Sequence, residues 1–160
     1  MTKQFLTFAL EDELYAVDVL SIREVLTYRK PTRVPKATDA MVGVINLRGG
    51  VVPVIDLRRQ FGLNDGSEIP EGAAVVIIEV YHDGELATIG GLVDAVDKVL
   101  QIDSSAVAPP PTVGVRINAN FVEGMISRDD DFIMVLDVNR VFSPRELNVI
   151  ESTTAMDEVV

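Results

Sequence analysis

Apolar residues along this chain come in short runs: FLTFAL (5–10), LYAVDV (14–19), MVGVIN (41–46), VVPVI (51–55), AVVIIEV (74–80), LATIGGLV (86–93), FVEGMI (121–126) and FIMVL (132–136). The runs are rich in β-branched and aromatic residues, and turn residues such as EDE, RGG, YHDGE and RDDD separate them. That pattern predicts an all-β chain of short strands joined by tight turns, as in antiparallel barrels or sandwiches. Helical signals are brief. Asp56 precedes LRRQF, Asp137 precedes VNRVF, and Ser143-Pro144-x-Glu146 has capping-box spacing with Pro at the first helical position. The last predicts a short C-terminal helix, SPRELNVIES, leading into an acidic tail that frays.

The chain also resembles itself. At a constant offset of 81, residues 42–61 match residues 123–142 at Gly43/Gly124, Ile45/Ile126, Val54/Val135, Asp56/Asp137, Arg59/Arg140 and Phe61/Phe142. Upstream, ELYAVDVLSIREVL and ELATIGGLVDAVDKVL share a hairpin, then Val-Asp, then Val-Leu. Two copies of one supersecondary plan are the economical reading. The expectation is two similar small β-barrels with the boundary in GLNDGSEIPEG (62–72). The first subdomain is then 1–65, its N-terminal strand able to pair with the second, the second is 66–142, and 143–160 holds the C-terminal helix and tail. Copies this small are marginal alone and should pack together, leaving a seam between them.

Composition narrows the function. A net charge of −11 and 48% hydrophobic residues describe a globular chain with a negative surface, which repels nucleic acid and anionic lipid. No apolar run is long enough to span a bilayer and MTKQFLTF has no secretory core, so a cytoplasmic location without membrane insertion is expected. With no Cys there is no thiolate nucleophile or Cys-based zinc site, and the single His82 sits in a YHDG turn signal. Asp18, Asp56 and Asp137 each end an apolar run before a helical turn, which suits helix N-caps better than an acid/base pair. RDDD (128–131) lacks the spaced ligands of a calcium loop, and no phosphate-cradling glycine motif occurs. Neither catalytic residues nor a metal or other cofactor is predicted.

NLRGGVVPVIDL (46–57) stands out. Gly49-Gly50 can supply a positive φ for a tight hairpin with Arg48 beside it, and Pro53 predicts an edge or bulged strand because it cannot donate to a ladder. A protected edge carrying one solvated arginine and a recognition surface both fit these residues.

DELYAVDVLSIREVL, GVINLRGGVVPVIDLRRQFG and GGLVDAVDKVL together closely resemble the CheW-type chemotaxis coupling proteins, in order and spacing, from about Phe5 to Ile150. The resemblance implies two five-stranded SH3-like barrels packed together. It also implies a non-catalytic adaptor joining the cytoplasmic tip of chemoreceptors to the regulatory domain of a CheA-type histidine kinase in membrane-associated arrays. Carried over by position, Gly43, Asn46, Arg48, Gly49 and Pro53 are candidates for kinase binding or coupling, and Ile22, Glu24, Val96 and Val99 for receptor binding. Ordinary core packing is the competing role for Ile22, Val96 and Val99, and an exposed strand face for Glu24. Gly91 departs from the family's usual single glycine and is expected to loosen its strand. Alternatives are a paralogue serving twitching motility or another receptor-kinase array, and an unrelated SH3-like peptide-binding module, which the absence of Trp disfavours.

Overall fold

The computed structural model describes residues 1–35, 38–63, 68–82, 84–110 and 117–142, the side chain of His82 excepted. The expected C-terminal helix lies outside the described residues, as do parts of the 62–72 connection and of the Pro-rich APPPTVGVRINANF stretch. Strands dominate: β1 (Thr2–Leu10), β2 (Glu13–Asp18), β3 (Ile22–Thr27), β4 (Met41–Leu47), β5 (Gly50–Asp56), β6 (Ala74–His82), β7 (Glu85–Val93), β8 (Ala95–Asp103), β9 (Val107–Ala108), β10 (Val122–Arg128) and β11 (Asp131–Leu136). Two one-turn helices follow β5 and β11, namely α1 (Leu57–Gln60) and α2 (Val138–Val141).

The all-β expectation holds, as a six-stranded sheet in the order β8-β1-β2-β11-β10-β9 and a five-stranded sheet in the order β3-β6-β7-β5-β4. The expected boundary at 65/66 does not follow these sheets. Residues 2–18 pair with the strands of 95–136, and residues 74–93 pair with those of 22–56. Each half of the chain lends a hairpin to the other's sheet, held on one side by a parallel pairing, β2 with β11 and β5 with β7, and on the other by an antiparallel one, β1 with β8 and β3 with β6.

The internal repeat survives at the level of register. Met41 faces Ile55 and Gly43 faces Val54; 81 residues later Val122 faces Leu136 and Gly124 faces Val135, with a bulge at the same place in both ladders. The Asp56 N–H donates to the Ala40 carbonyl (2.7 Å), and the Asp137 N–H donates to the Phe121 carbonyl (2.9 Å). Asp56 and Asp137 cap α1 and α2, and Asp18 caps a 3-10 turn at Val19–Ser21, each side chain accepting from the backbone N–H two residues on, which satisfies a donor the short helix leaves unpaired.

Each sheet has a core of its own. Leu26, Ile45, Val52, Val54, Val75, Ile77 and Leu92 fill one, and Phe5, Ala16, Leu100, Val107, Ile126 and Ile133 the other. A third cluster joins them, built from Phe8, Leu10, Tyr15 and Val17 of the six-stranded sheet and Ile55, Val76, Ile78 and Ile89 of the five-stranded one. A buried charge network reinforces that seam: Arg58 lies 3.4 Å from both Asp56 and Asp94, and the Asp94 carboxylate accepts from the Glu11 N–H (2.7 Å). Gly90 and Gly91 do not loosen β7. A Cβ at Gly90 would meet Val75 Cγ1 at 2.8 Å and one at Gly91 would meet Leu57 Cδ1 at 3.2 Å, so the pair makes room for core side chains.

Candidate functional site

The β4–β5 hairpin is where the sequence singled out a charge, two glycines and a proline. Its two turn residues are Arg48 and Gly49, both with positive φ (52° and 83°), and Leu47 pairs with Gly50 across them. These are the signs of a type I′ turn, whose twist matches that of the flanking strands. The expectation that Gly49-Gly50 turns the chain with Arg48 beside it is corrected by one residue: Arg48 is itself in the turn, and Gly50 opens β5. The Asn46 side chain accepts from the Gly49 N–H (3.1 Å) and steadies the bend.

Of the two placements expected for Pro53, the edge is excluded, since β5 lies between β4 and β7, whereas the β4–β5 ladder does carry a bulge, between Met41 and Gly43. The edge is β4, where Val44 turns its N–H and C=O outward to Thr32 (2.7 and 2.8 Å). Its partner Pro53 therefore directs its nitrogen away from β4, toward β7, where pairing begins only at Val54. The missing donor falls where no ladder bond is required.

Gly43 is buried under the same outer segment. Its φ is +148°, and a Cβ there would land on the Thr32 carbonyl oxygen, 2.8 Å from the Thr32 carbonyl carbon and 2.9 Å from Pro31 Cβ. Gly124 repeats the arrangement beneath β9, with Val107 Cγ1 at 2.6 Å and the Ala108 oxygen at 2.9 Å from a Cβ. Gly43 thus has a structural task whatever partner binds nearby.

Arg48 and Glu24 meet. The guanidinium makes two contacts to the carboxylate, Nη2 to Oε1 at 2.9 Å and Nη1 to Oε2 at 2.6 Å. Arg48 is largely exposed and Glu24 about a quarter so. The hydrogen bond from Arg48 holds the Glu24 carboxyl below its ordinary 4.5, with the charges of Arg48 and Arg23 acting the same way against partial desolvation. The guanidinium is held protonated more firmly by the same bond. Because β3 and β4 are opposite edges of their sheet, this pair, with the Arg29 Nη2 donating to the Asn46 carbonyl (2.6 Å), shows that the sheet curls until its edges approach. The six-stranded sheet does the same through Arg128 on β10 and Asp97 on β8, 3.7 Å apart.

The remaining candidates lie elsewhere. Ile22 opens β3 opposite Ile78, and Val96 on β8 sits opposite Phe8; both are half-buried against the cluster that joins the sheets. Val99, opposite Leu6 on edge strand β8, is 53% exposed and is not a core residue. The structure brings together Glu24, Asn46, Arg48 and Gly49, and puts Ile22 and Val96 at the seam. Pattern reading could not find Arg58 and Asp94, whose pairing depends on contact between the sheets. Among the described residues no cluster of His, Cys, Asp or Glu can hold a metal ion, and no helix is long and apolar enough to cross a membrane.

Comparison with known proteins agrees with this architecture. Residues 4–146 match the family model of the CheW-like domain. The chain is 29% identical over 149 residues to the chemotaxis protein CheW of Treponema pallidum, covering 90% of this chain and 84% of that one. It is 31% identical over 140 residues to CheW of Bacillus subtilis, covering 87% and 86%. The crystal structure of the scaffolding protein TtCheW from Thermoanaerobacter tengcongensis superposes with a TM-score of 0.80 at 34% identity, over 91% of this chain and 96% of that chain. Fold, repeat and motif thus lead to one conclusion: the chain belongs to the CheW-like family of non-catalytic chemotaxis scaffold proteins.

Proposed function

We propose that this chain couples chemoreceptors to a CheA-type histidine kinase, acting in the cytoplasm at membrane-associated receptor arrays. In this reading Ile22, Glu24, Val96 and Val99 serve the receptor tip, and Gly43, Asn46, Arg48, Gly49 and Pro53 serve kinase binding or coupling. The observation that carries it is the bidentate Glu24–Arg48 pair, which ties a candidate of the first group to one of the second on an exposed rim. A perturbation of one segment is then felt by the other through a defined contact. Within the second group the roles divide: Arg48 faces solvent, whereas Gly43 supports the edge from beneath.

The test is a pull-down and calorimetric titration with the kinase regulatory domain and a receptor-tip fragment. Parent protein should bind both, with modest affinities that arrays strengthen by many simultaneous contacts. Arg48→Lys should weaken at least one, because lysine does not reproduce the two-pronged geometry. Binding to neither partner by the parent would remove the proposal.

A further inference from the structure

The strip of chain that covers edge strand β4 carries a charge at odds with the rest of the molecule. Thr32 is bridged to Val44 in antiparallel register, so residues 29–33 run along β4. They start beside the β4–β5 turn, where Arg29 Nη2 donates to the Asn46 carbonyl at 2.6 Å, and end near Val42, which lines a hollow with Arg33. Arg29, Lys30 and Arg33 are exposed, three of the chain's 14 Lys and Arg within five residues that hold no carboxylate. Among the described residues no carboxylate pairs with them. Arg29 meets a neutral carbonyl, Lys30 and Arg33 form no ion pair, and the carboxylates of Glu24 and Glu79 are engaged by Arg48 and Arg23.

The repeat shows that the fold does not require this charge. In the six-stranded sheet the strip that covers β10 is residues 105–109. Ala108 stands opposite Met125 as Thr32 stands opposite Val44, 81 residues earlier, and Val107 and Ala108 close over Gly124 as Pro31 and Thr32 close over Gly43. Counted from that match, Ser105, Ala106 and Pro109 take the places of Arg29, Lys30 and Arg33. Charge on an outer segment can serve simply to deter pairing with another edge, but the uncharged copy does without it. On a chain of net charge −11 such a cluster attracts anions only at short range, since salt screens it beyond about 8 Å. A membrane surface or a nucleic acid would bring further phosphates against the negative remainder of the molecule. A short acidic peptide would not, and the strip, spanning at most ~14 Å, fits four or five of its extended residues.

We propose that residues 29–33 dock a short Asp/Glu-rich segment of a partner protein. The test is selection of random peptides displayed on phage against the full-length protein, followed by titration of the selected synthetic peptides, of phosphatidylglycerol-containing vesicles and of duplex DNA, each at low and high salt. Selected peptides should carry Asp or Glu, in spite of the net charge of the chain, and bind more weakly as salt rises. Lys30→Glu and Arg33→Glu should each reduce their affinity about tenfold, equivalent to roughly 1.4 kcal/mol, with melting unchanged. Lys3→Glu, the same change of charge at an exposed position on the other sheet, should bind as the parent does. Amide shifts on binding should cluster at residues 29–33 and at 42–46 of β4. Failure to select acidic peptides, tighter binding of vesicles or DNA, unchanged binding by both folded strip variants, an equal loss in Lys3→Glu, or shifts centred elsewhere would overturn the proposal. None of these outcomes depends on the receptor and kinase titrations.

Discussion

Gly43→Ala separates a contact residue from a supporting one. An alanine Cβ at this position meets two obstacles at once. The backbone φ of +148° lies in a region that L side chains rarely adopt, a penalty of about 1–3 kcal/mol. The methyl group would also fall on the Thr32 carbonyl and against Pro31, backbone and ring atoms that cannot rotate away as a flexible side chain would. Overpacking of this kind costs about 1–3 kcal/mol. Relief by moving residues 31–32 outward sacrifices the two hydrogen bonds between Thr32 and Val44, each contributing roughly 0.5–1.5 kcal/mol. The expected loss is about 3 kcal/mol, a substantial part of the ~5–15 kcal/mol that holds a domain folded. Urea unfolding followed by far-ultraviolet circular dichroism measures it as a lowered midpoint at constant slope. Two controls grade the argument. Gly124→Ala meets a valine methyl and a carbonyl at 2.6 and 2.9 Å with no positive φ, and should cost about 1–2 kcal/mol. Gly49→Ala has open space around it and only its φ of +83° to oppose it, and should cost about 1 kcal/mol. If Gly43→Ala melts no earlier than Gly49→Ala, the close-approach reasoning is wrong. If it unfolds as expected, partner binding lost in Gly43 variants must be corrected for the unfolded fraction before that residue is assigned to an interface.

Reversing the rim pair in the double variant Glu24→Arg/Arg48→Glu should restore part of the partner binding lost in Arg48→Glu alone, measured by titration; no restoration would mean that each residue acts separately. The pair also predicts an acid response: a carboxyl held below 4.5 by folding contributes stability above that value and loses it as pH falls through the folded-state value, so the Glu24→Gln variant should show a shallower decline in acid melting than the parent. Arg58→Ala removes the nearer of two arginines from the fully buried Asp56 carboxylate, leaving Arg59 at 3.9 Å, and should cost about 3 kcal/mol in urea unfolding. Ile22→Asp should weaken receptor-tip binding by roughly 2 kcal/mol in the folded fraction, and unchanged binding would take Ile22 out of the site.

Local chemistry in this chain was legible because local interactions decide it. The strand runs from FLTFAL to FIMVL form strands, and Asp18, Asp56 and Asp137 cap helical turns, since alternation, turn residues and a side-chain oxygen two residues before an N–H act over a few positions. The repeat at 81 residues was equally visible, and the bulges and registers of the β4–β5 and β10–β11 hairpins copy it. The apolar-run pattern did not show β3 and β8, because IREVLT and AVDKVLQID are edge strands with polar residues interspersed among apolar ones. Which strand pairs with which was settled only in three dimensions. Burial of an apolar face favours any suitable neighbour, and nothing in residues 74–93 records that they complete the sheet of residues 22–56. The same holds at the rim: Arg48 and Glu24 are 24 residues apart, and only the curl of the five-stranded sheet turns a solvated arginine and a charge on a strand face into one ion pair.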